Sequence, residues 1–161
     1  EVTLHDGADF NLGAVQIGGE TQTLEIVTTV THAEPNATSN QIVRSVLAKK
    51  ATGSYLGKVA VARDAQKTDS VQDVKAMVLD RTATANAKPE LEIFADDVQC
   101  AHGATVGELD KQALFYLASR GLPPAEAKKL MLQAFVASVF EDAADEEMLA
   151  EAALKKLGGL V

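Results

Sequence analysis

The hydrophobic pattern of this chain changes period once, near Val106, and that switch constrains the fold more than any single motif. Before it lie short segments with two-residue alternation or β-branched enrichment: Thr21 to Val30, Gln41 to Leu47, Gly57 to Val61, Val71 to Leu79 and Leu91 to Phe94. Gly, Asn, Asp and Pro residues separate them, and the opening Glu1 to Leu4 already reads as a strand. After it the spacing becomes helical. Leu109, Ala113, Leu114, Phe115 and Leu117 form one apolar stripe, with Gly121 as a stop after Arg120. Pro123-Pro124 opens a second helix, where a missing N–H costs nothing in the first turn. Its predicted stripe is Ala127, Leu130, Met131, Ala134, Phe135, Ser138 and Val139. A third helix is expected from about Ala144 to Leu157, with Asp145, Glu146 and Glu147 at its positive end, Lys155 and Lys156 at its negative end, and Gly158-Gly159 closing it. The expected organisation is therefore a β domain over residues 1–106 and a small helical domain over 107–161. Short, evenly punctuated strands suit a sandwich, a barrel or a parallel β-helix, and periodicity alone does not choose among them.

Composition narrows the function. A chain of 161 residues with 47% hydrophobic content can bury a real core. A net charge of -8 argues against a binder of phosphate backbones, which relies on clustered Lys and Arg, so no nucleic-acid partner is expected. No apolar run approaches the roughly 20 residues a membrane helix needs, so no membrane partner is expected either. The single cysteine excludes an internal disulfide, and a free thiol fits a reducing cytoplasm. The chain opens on Glu rather than Met and directly in a strand, so the expectation is the C-terminal part of a longer protein, truncated on the N-terminal side of its β domain.

Chemistry concentrates around the last strand. In an alternating run Val98, Cys100 and His102 share one face, which sets a thiol beside an imidazole, two ligand types for thiophilic metals and iron-sulfur species. Taken by themselves, Cys100 also reads as a small buried hydrophobe and His102 as a hydrogen-bonded surface residue. Asp96-Asp97 suggests paired carboxylates, and with Asp110 would suit a polysaccharide-cleaving β-helix hydrolase or lyase. Adjacent strand residues point to opposite faces, however, so a turn is the better account of Asp96-Asp97. Gly53, Gly57 and Lys67 lack the Walker spacing, and no nucleotide site is visible. His5 and His32 stand alone and receive no role.

One stretch carries a specific resemblance. Leu91-Glu92-Ile93, Ala95-Asp96-Asp97-Val98, Cys100-Ala101-His102-Gly103-Ala104-Thr105, and Leu114-Phe115-Tyr116-Leu117 followed by Ser119-Arg120-Gly121 resemble the SufB/SufD family of iron-sulfur cluster assembly proteins, the D type more than the B type. Ala65-Gln66-Lys67-Thr68-Asp69 with Gln72 matches a second motif, and His32, Pro35 and Ser39 fall where a third is expected. The resemblance implies a right-handed parallel β-helix followed by a helical domain. The scarcity of hairpin signals agrees with this, since no Asn-Gly or Asp-Gly pair lies between two strand candidates and only Asp6-Gly7 comes near the start.

The resemblance also implies a non-catalytic scaffold subunit. It would meet a SufB-like paralogue through the end of the β-helix and a SufC-like ATPase through the C-terminal helices, or pair with a copy of itself in isolation. No cofactor would be held stably: the iron-sulfur cluster would be transient in the complex, and ATP would sit on the ATPase. His102, and less so Cys100, would contribute hypothetical iron or cluster ligation at the interface with the paralogue. Gly103 stands where B-type members have Glu, and the upstream sulfur-accepting cysteine of the B type has no counterpart here.

Overall fold

The computed structural model describes residues 1–141 and 143–160. Eight strands come first: β1 (Val2–Leu4), β2 (Asp9–Gly18), β3 (Thr23–His32), β4 (Thr38–Leu47), β5 (Thr52–Val61), β6 (Asp69–Val78), β7 (Thr84–Ile93) and β8 (Gln99–Gly107). Three helices follow: α1 (Lys111–Ser119), α2 (Pro124–Ala137) and α3 (Glu146–Gly158). The strands form two four-stranded sheets, ordered β1-β3-β5-β7 and β2-β4-β6-β8, and every pairing is parallel. Consecutive strands alternate between the sheets, so the chain winds as a parallel β-helix. Asp9 aligns with Thr38, Thr38 with Asp69 and Asp69 with Gln99, which makes a coil about 30 residues long.

Three successive coils turn the same corner in the same way. Gly7, Asn36 and Lys67 all adopt left-handed backbone, with φ of 67°, 61° and 59°. The corners stack through Gly7 N–H donating to Pro35 O at 3.1 Å and Asn36 N–H to Gln66 O at 3.0 Å. Gly and Asn suit that conformation, whereas Lys67 holds it against steric preference. The Gln66-Lys67-Thr68 motif is thereby explained as a corner: Thr68 is buried and donates to Ala65 O, and Gln66 Oε1 accepts from Asp97 N–H of the next coil.

The inside of the solenoid mixes apolar rungs with a polar seam. Leu4, Val30 and Ala37 fill one end, while Val43, Tyr55 and Val74 pack in the middle. Gly57 is required there, because the Tyr55 ring lies where a Cβ on residue 57 would stand. Outside, the helices fold back on the flank of β2 and β4: Ile17 and Val46 pack with Leu132, Val136, Val139, Phe140, Ala153 and Leu157. Gly13 permits this approach, since a Cβ there would strike the Val139 carbonyl. Beneath α2, Arg44 bonds Asp73 at 2.5 Å across β4 and β6, and its guanidinium lies 5.8 Å from the Phe135 ring centre. Burial pushes the Asp73 carboxyl up, but its hydrogen bonds with Arg44 and Lys75 and their charges outweigh that and hold it below the ordinary aspartate value.

The expected α2 stripe needs correction. Its buried face is Ala127, Leu132 and Val136, continued by Val139 and Phe140, whereas Leu130, Ala134 and Ser138 face outward. The helix meets a sheet and two other helices, and it turns toward the sheet the face that fits between Ile17 and Val46. Phe115, placed in the α1 stripe by spacing, is 76% exposed. The strands run longer than alternation suggested, and β2 carried no recognised signal. Gly13, Gln16, Ser39 and Gln41 occupy faces that are covered or interior, which breaks the apolar alternation that a single-sequence reading relies on. Pro89 lies within β7, the last strand of its sheet, a position where a missing N–H is tolerated.

Candidate functional site

β8 is the last strand of its sheet and β7 the last of the other, so among the described residues no coil covers this end of the solenoid. Pairing sets Cys100 beside Ser70 and His102 beside Gln72, and the same columns continue inward to Ser39 and Gln41. Paired residues of in-register parallel strands project from the same face. Ser39, Gln41, Ser70 and Gln72 are all buried inside the solenoid. Cys100 and His102 therefore terminate two interior columns at the open end, His102 exposed and Cys100 half-buried against the cluster of Val59, Val61, Ala65 and Ala95.

These columns are hydrogen-bonded further in. His32 Nε2 and Ser39 Oγ lie 2.9 Å apart, and Ser39 Oγ and Ser70 Oγ are also 2.9 Å apart. Next to them, Tyr55 Oη donates to Gln41 Oε1 at 3.3 Å and accepts from Gln72 Nε2 at 3.2 Å. Burial holds the His32 imidazole below its ordinary pKa, and burial together with the Asp69 charge pushes the Cys100 thiol up. Cys100 is thus a protonated thiol at neutral pH, a weak ligand until something displaces its proton.

The remaining candidates are dispersed. Asp96 and Asp97 lie in the corner before β8, and Asp110 caps α1 by accepting from Gln112 N–H at 2.8 Å and Ala113 N–H at 3.3 Å. A nine-residue strand, about 30 Å long, separates the two groups. No shared substrate could meet all three carboxylates, and the hydrolase or lyase geometry is lacking. A groove of about 500 Å³ between β2, β3 and α3 is lined mainly by apolar residues such as Val15, Ile17, Leu24 and Phe140, far from those acids. His5 is exposed and meets Glu34 at 3.3 Å. His32 is fully buried, bonded to Ser39.

Cys100 and His102 are two donors about 6.5 Å apart along the strand. A tetrahedral metal centre uses four. Among the described residues no group of three or more His, Cys, Asp or Glu side chains gathers to hold a metal ion. The pair alone is two donors short of such a centre. Sequence reasoning passed over Ser70 and Gln72 as neighbours of this pair. The 30-residue offsets that place them there (Ser70 to Cys100, Gln72 to His102) were the available signal.

A parallel β-solenoid with an open last coil and a helical domain folded on its flank defines a class of scaffold-shaped proteins. The profile described as SUF system FeS cluster assembly, SufBD core domain, matches residues 2–135, and the chain belongs to the SufB/SufD family as a SufD-type member. It is 35% identical over 147 residues to the iron-sulfur cluster assembly protein SufD of Escherichia coli, covering 83% of this chain and 35% of that one. It is 30% identical over 137 residues to SufD of Bacillus subtilis, covering 85% and 31%. A SufBD family protein of Synechocystis is 37% identical over 113 residues, covering 70% and 25%. The chain spans about a third or less of the length of these curated relatives. No helix among the described residues is long and apolar enough to cross a membrane.

Proposed function

We propose that this chain is part of a D-type scaffold subunit in iron-sulfur cluster assembly, contributing His102 to a site completed by a SufB-like paralogue. The observation that carries the reading is the open solenoid end, where the columns ending in Cys100 and His102 reach solvent beside two strands with unpaired edges. An edge of this kind accepts another strand by backbone hydrogen bonds, and a paralogous coil is the closest chemical match. His102 offers an imidazole to iron or to a transferring proton. Cys100 contributes packing first and ligation only once deprotonated. The chain would turn over no substrate itself. ATP would be hydrolysed by a SufC-like partner docked on the helical domain, for which Phe115 and Tyr116, 76% and 57% exposed, supply an apolar contact on α1. A reducing cytoplasm suits the free thiol.

The test is reconstitution with SufB-like and SufC-like partners, iron, a sulfur source and ATP, with cluster content read by visible absorbance. His102→Ala should leave complex composition unchanged and lower cluster yield at least tenfold, roughly the loss of one well-placed ligand or proton relay. Full yield from that variant in complexes of normal composition removes His102 from the mechanism. Failure of the wild-type chain to co-purify with either partner removes the scaffold reading.

A further inference from the structure

Among the described residues three interior polar atoms, all on the solenoid seam, have no hydrogen-bond partner: His32 Nδ1, Gln41 Nε2 and Gln72 Oε1. Buried polar groups are nearly always paired, so an orphan calls for an explanation. Gln72 Oε1 stands apart from the other two because of where it lies. Its residue is 1% exposed, and the register partner on the next and last coil is His102.

The orientation of the Gln72 amide follows from its neighbours. Tyr55 Oη carries one proton, given to Gln41 Oε1 at 3.3 Å, so toward Gln72 it can only accept. Gln72 must then present its NH₂ group, as it does at 3.2 Å, and its carbonyl oxygen is the atom left over. On the coil before it, the facing residue is Gln41, whose free Nε2 does not reach that oxygen. On the coil after it the facing side chain is the exposed His102 imidazole; its ring N–H does not reach that oxygen in this rotamer either, so the bond requires the side chain to turn inward. The Tyr55 phenol, pinned also by Thr28 Oγ1 at 3.0 Å, keeps the amide from turning over.

We infer that Gln72 is a positioning residue for His102: with the exposed imidazole turned inward over the seam, Gln72 Oε1 accepts one ring N–H, fixing the imidazole's tautomer and orientation and leaving the other nitrogen facing the open end. The inference rests on the reading of His102 as the group offered to the partner, and it supplies what that reading needs. An imidazole that binds a metal or relays a proton through one nitrogen is usually held through the other by a carbonyl or carboxylate. An exposed His at the end of a strand would otherwise sample several rotamers and both tautomers.

The test needs neither partner nor metal. In the chain labelled with ¹⁵N-histidine, the His102 ring N–H should exchange with water about tenfold more slowly in wild type than in Gln72→Leu, the equivalent of one ordinary hydrogen bond. The signal is assigned by its loss in His102→Ala. Equal exchange in the two proteins, with Gln72→Leu folded as judged by circular dichroism, overturns the proposal. If Gln72→Leu does not fold, the wild type decides alone: a His102 ring proton exchanging as fast as that of free imidazole overturns it, and a protected one sustains it. Cluster yield is not the readout, so a null result in reconstitution leaves this outcome untouched, and the converse also holds.

Discussion

At the residue scale, two titrating groups of the polar seam, His32 and Cys100, are shifted in opposite directions. His32 is buried with a lowered pKa, so below about 6.5 the unfolded chain takes up a proton that the folded one resists. Stability from this residue is complete above that value and is lost as pH falls. The denaturant midpoint of wild type should decline between pH 7.5 and 5.5, and that of His32→Gln should change less across the same window. Equal pH slopes would assign the loss elsewhere. Cys100 is raised, mainly by burial, so the folded chain holds its proton to higher pH than a free thiol does. Its alkylation at pH 8 should be slower than that of a free thiol and should keep climbing where the free thiol has levelled off. A plateau at the free-thiol value would mean that β8 opens to solvent.

At the scale of elements, the docking of α2 is the most exposed claim. Leu132 is fully buried between the sheet and its neighbouring helices, while Leu130, two residues earlier, is 49% exposed. Leu132→Ala should cost about 2–5 kcal/mol in chemical unfolding. Leu130→Ala should stay within about 0.5 kcal/mol. Comparable losses from both would restore the stripe that simple helical spacing predicts. Leu130 then belongs with Phe115 and Tyr116 among the exposed apolar residues of the helices.

At the scale of the molecule, the solenoid is a stack whose stability comes from coil-on-coil contacts, and among the described residues its last coil has a neighbour on one side only. Val106 follows Cys100, His102 and Ala104 on the inward face of β8 and is 49% exposed there. Val106→Lys should leave the thermal unfolding midpoint nearly unchanged and weaken association at this end, whether with a SufB-like paralogue in co-purification or with a second copy in sedimentation velocity. Unaltered association would move the partner to another surface.

Much of this was legible without coordinates. The switch from two-residue to helical spacing, the Pro and Gly boundaries of the helices, and the face shared by Cys100 and His102 are local properties, set by backbone geometry over a few residues. The motifs around Asp97, His102 and Ser119 also pointed to the family and so to parallel coils. Tertiary structure alone decided the rest. Which residue of one coil lies on which residue of the next depends on corners some 30 residues apart, and only that register brings Gln72 under His102 and Ser70 beside Cys100. The covered face of α2 was likewise decided by what it meets, because a helix apolar on more than one side takes its orientation from the surface that packs best against it. Asp110 is a further case: the sequence offered it as a candidate catalytic carboxylate, and only its hydrogen bonds from Gln112 and Ala113 N–H, fixed once α1 forms, showed that the carboxylate was already engaged as a helix cap.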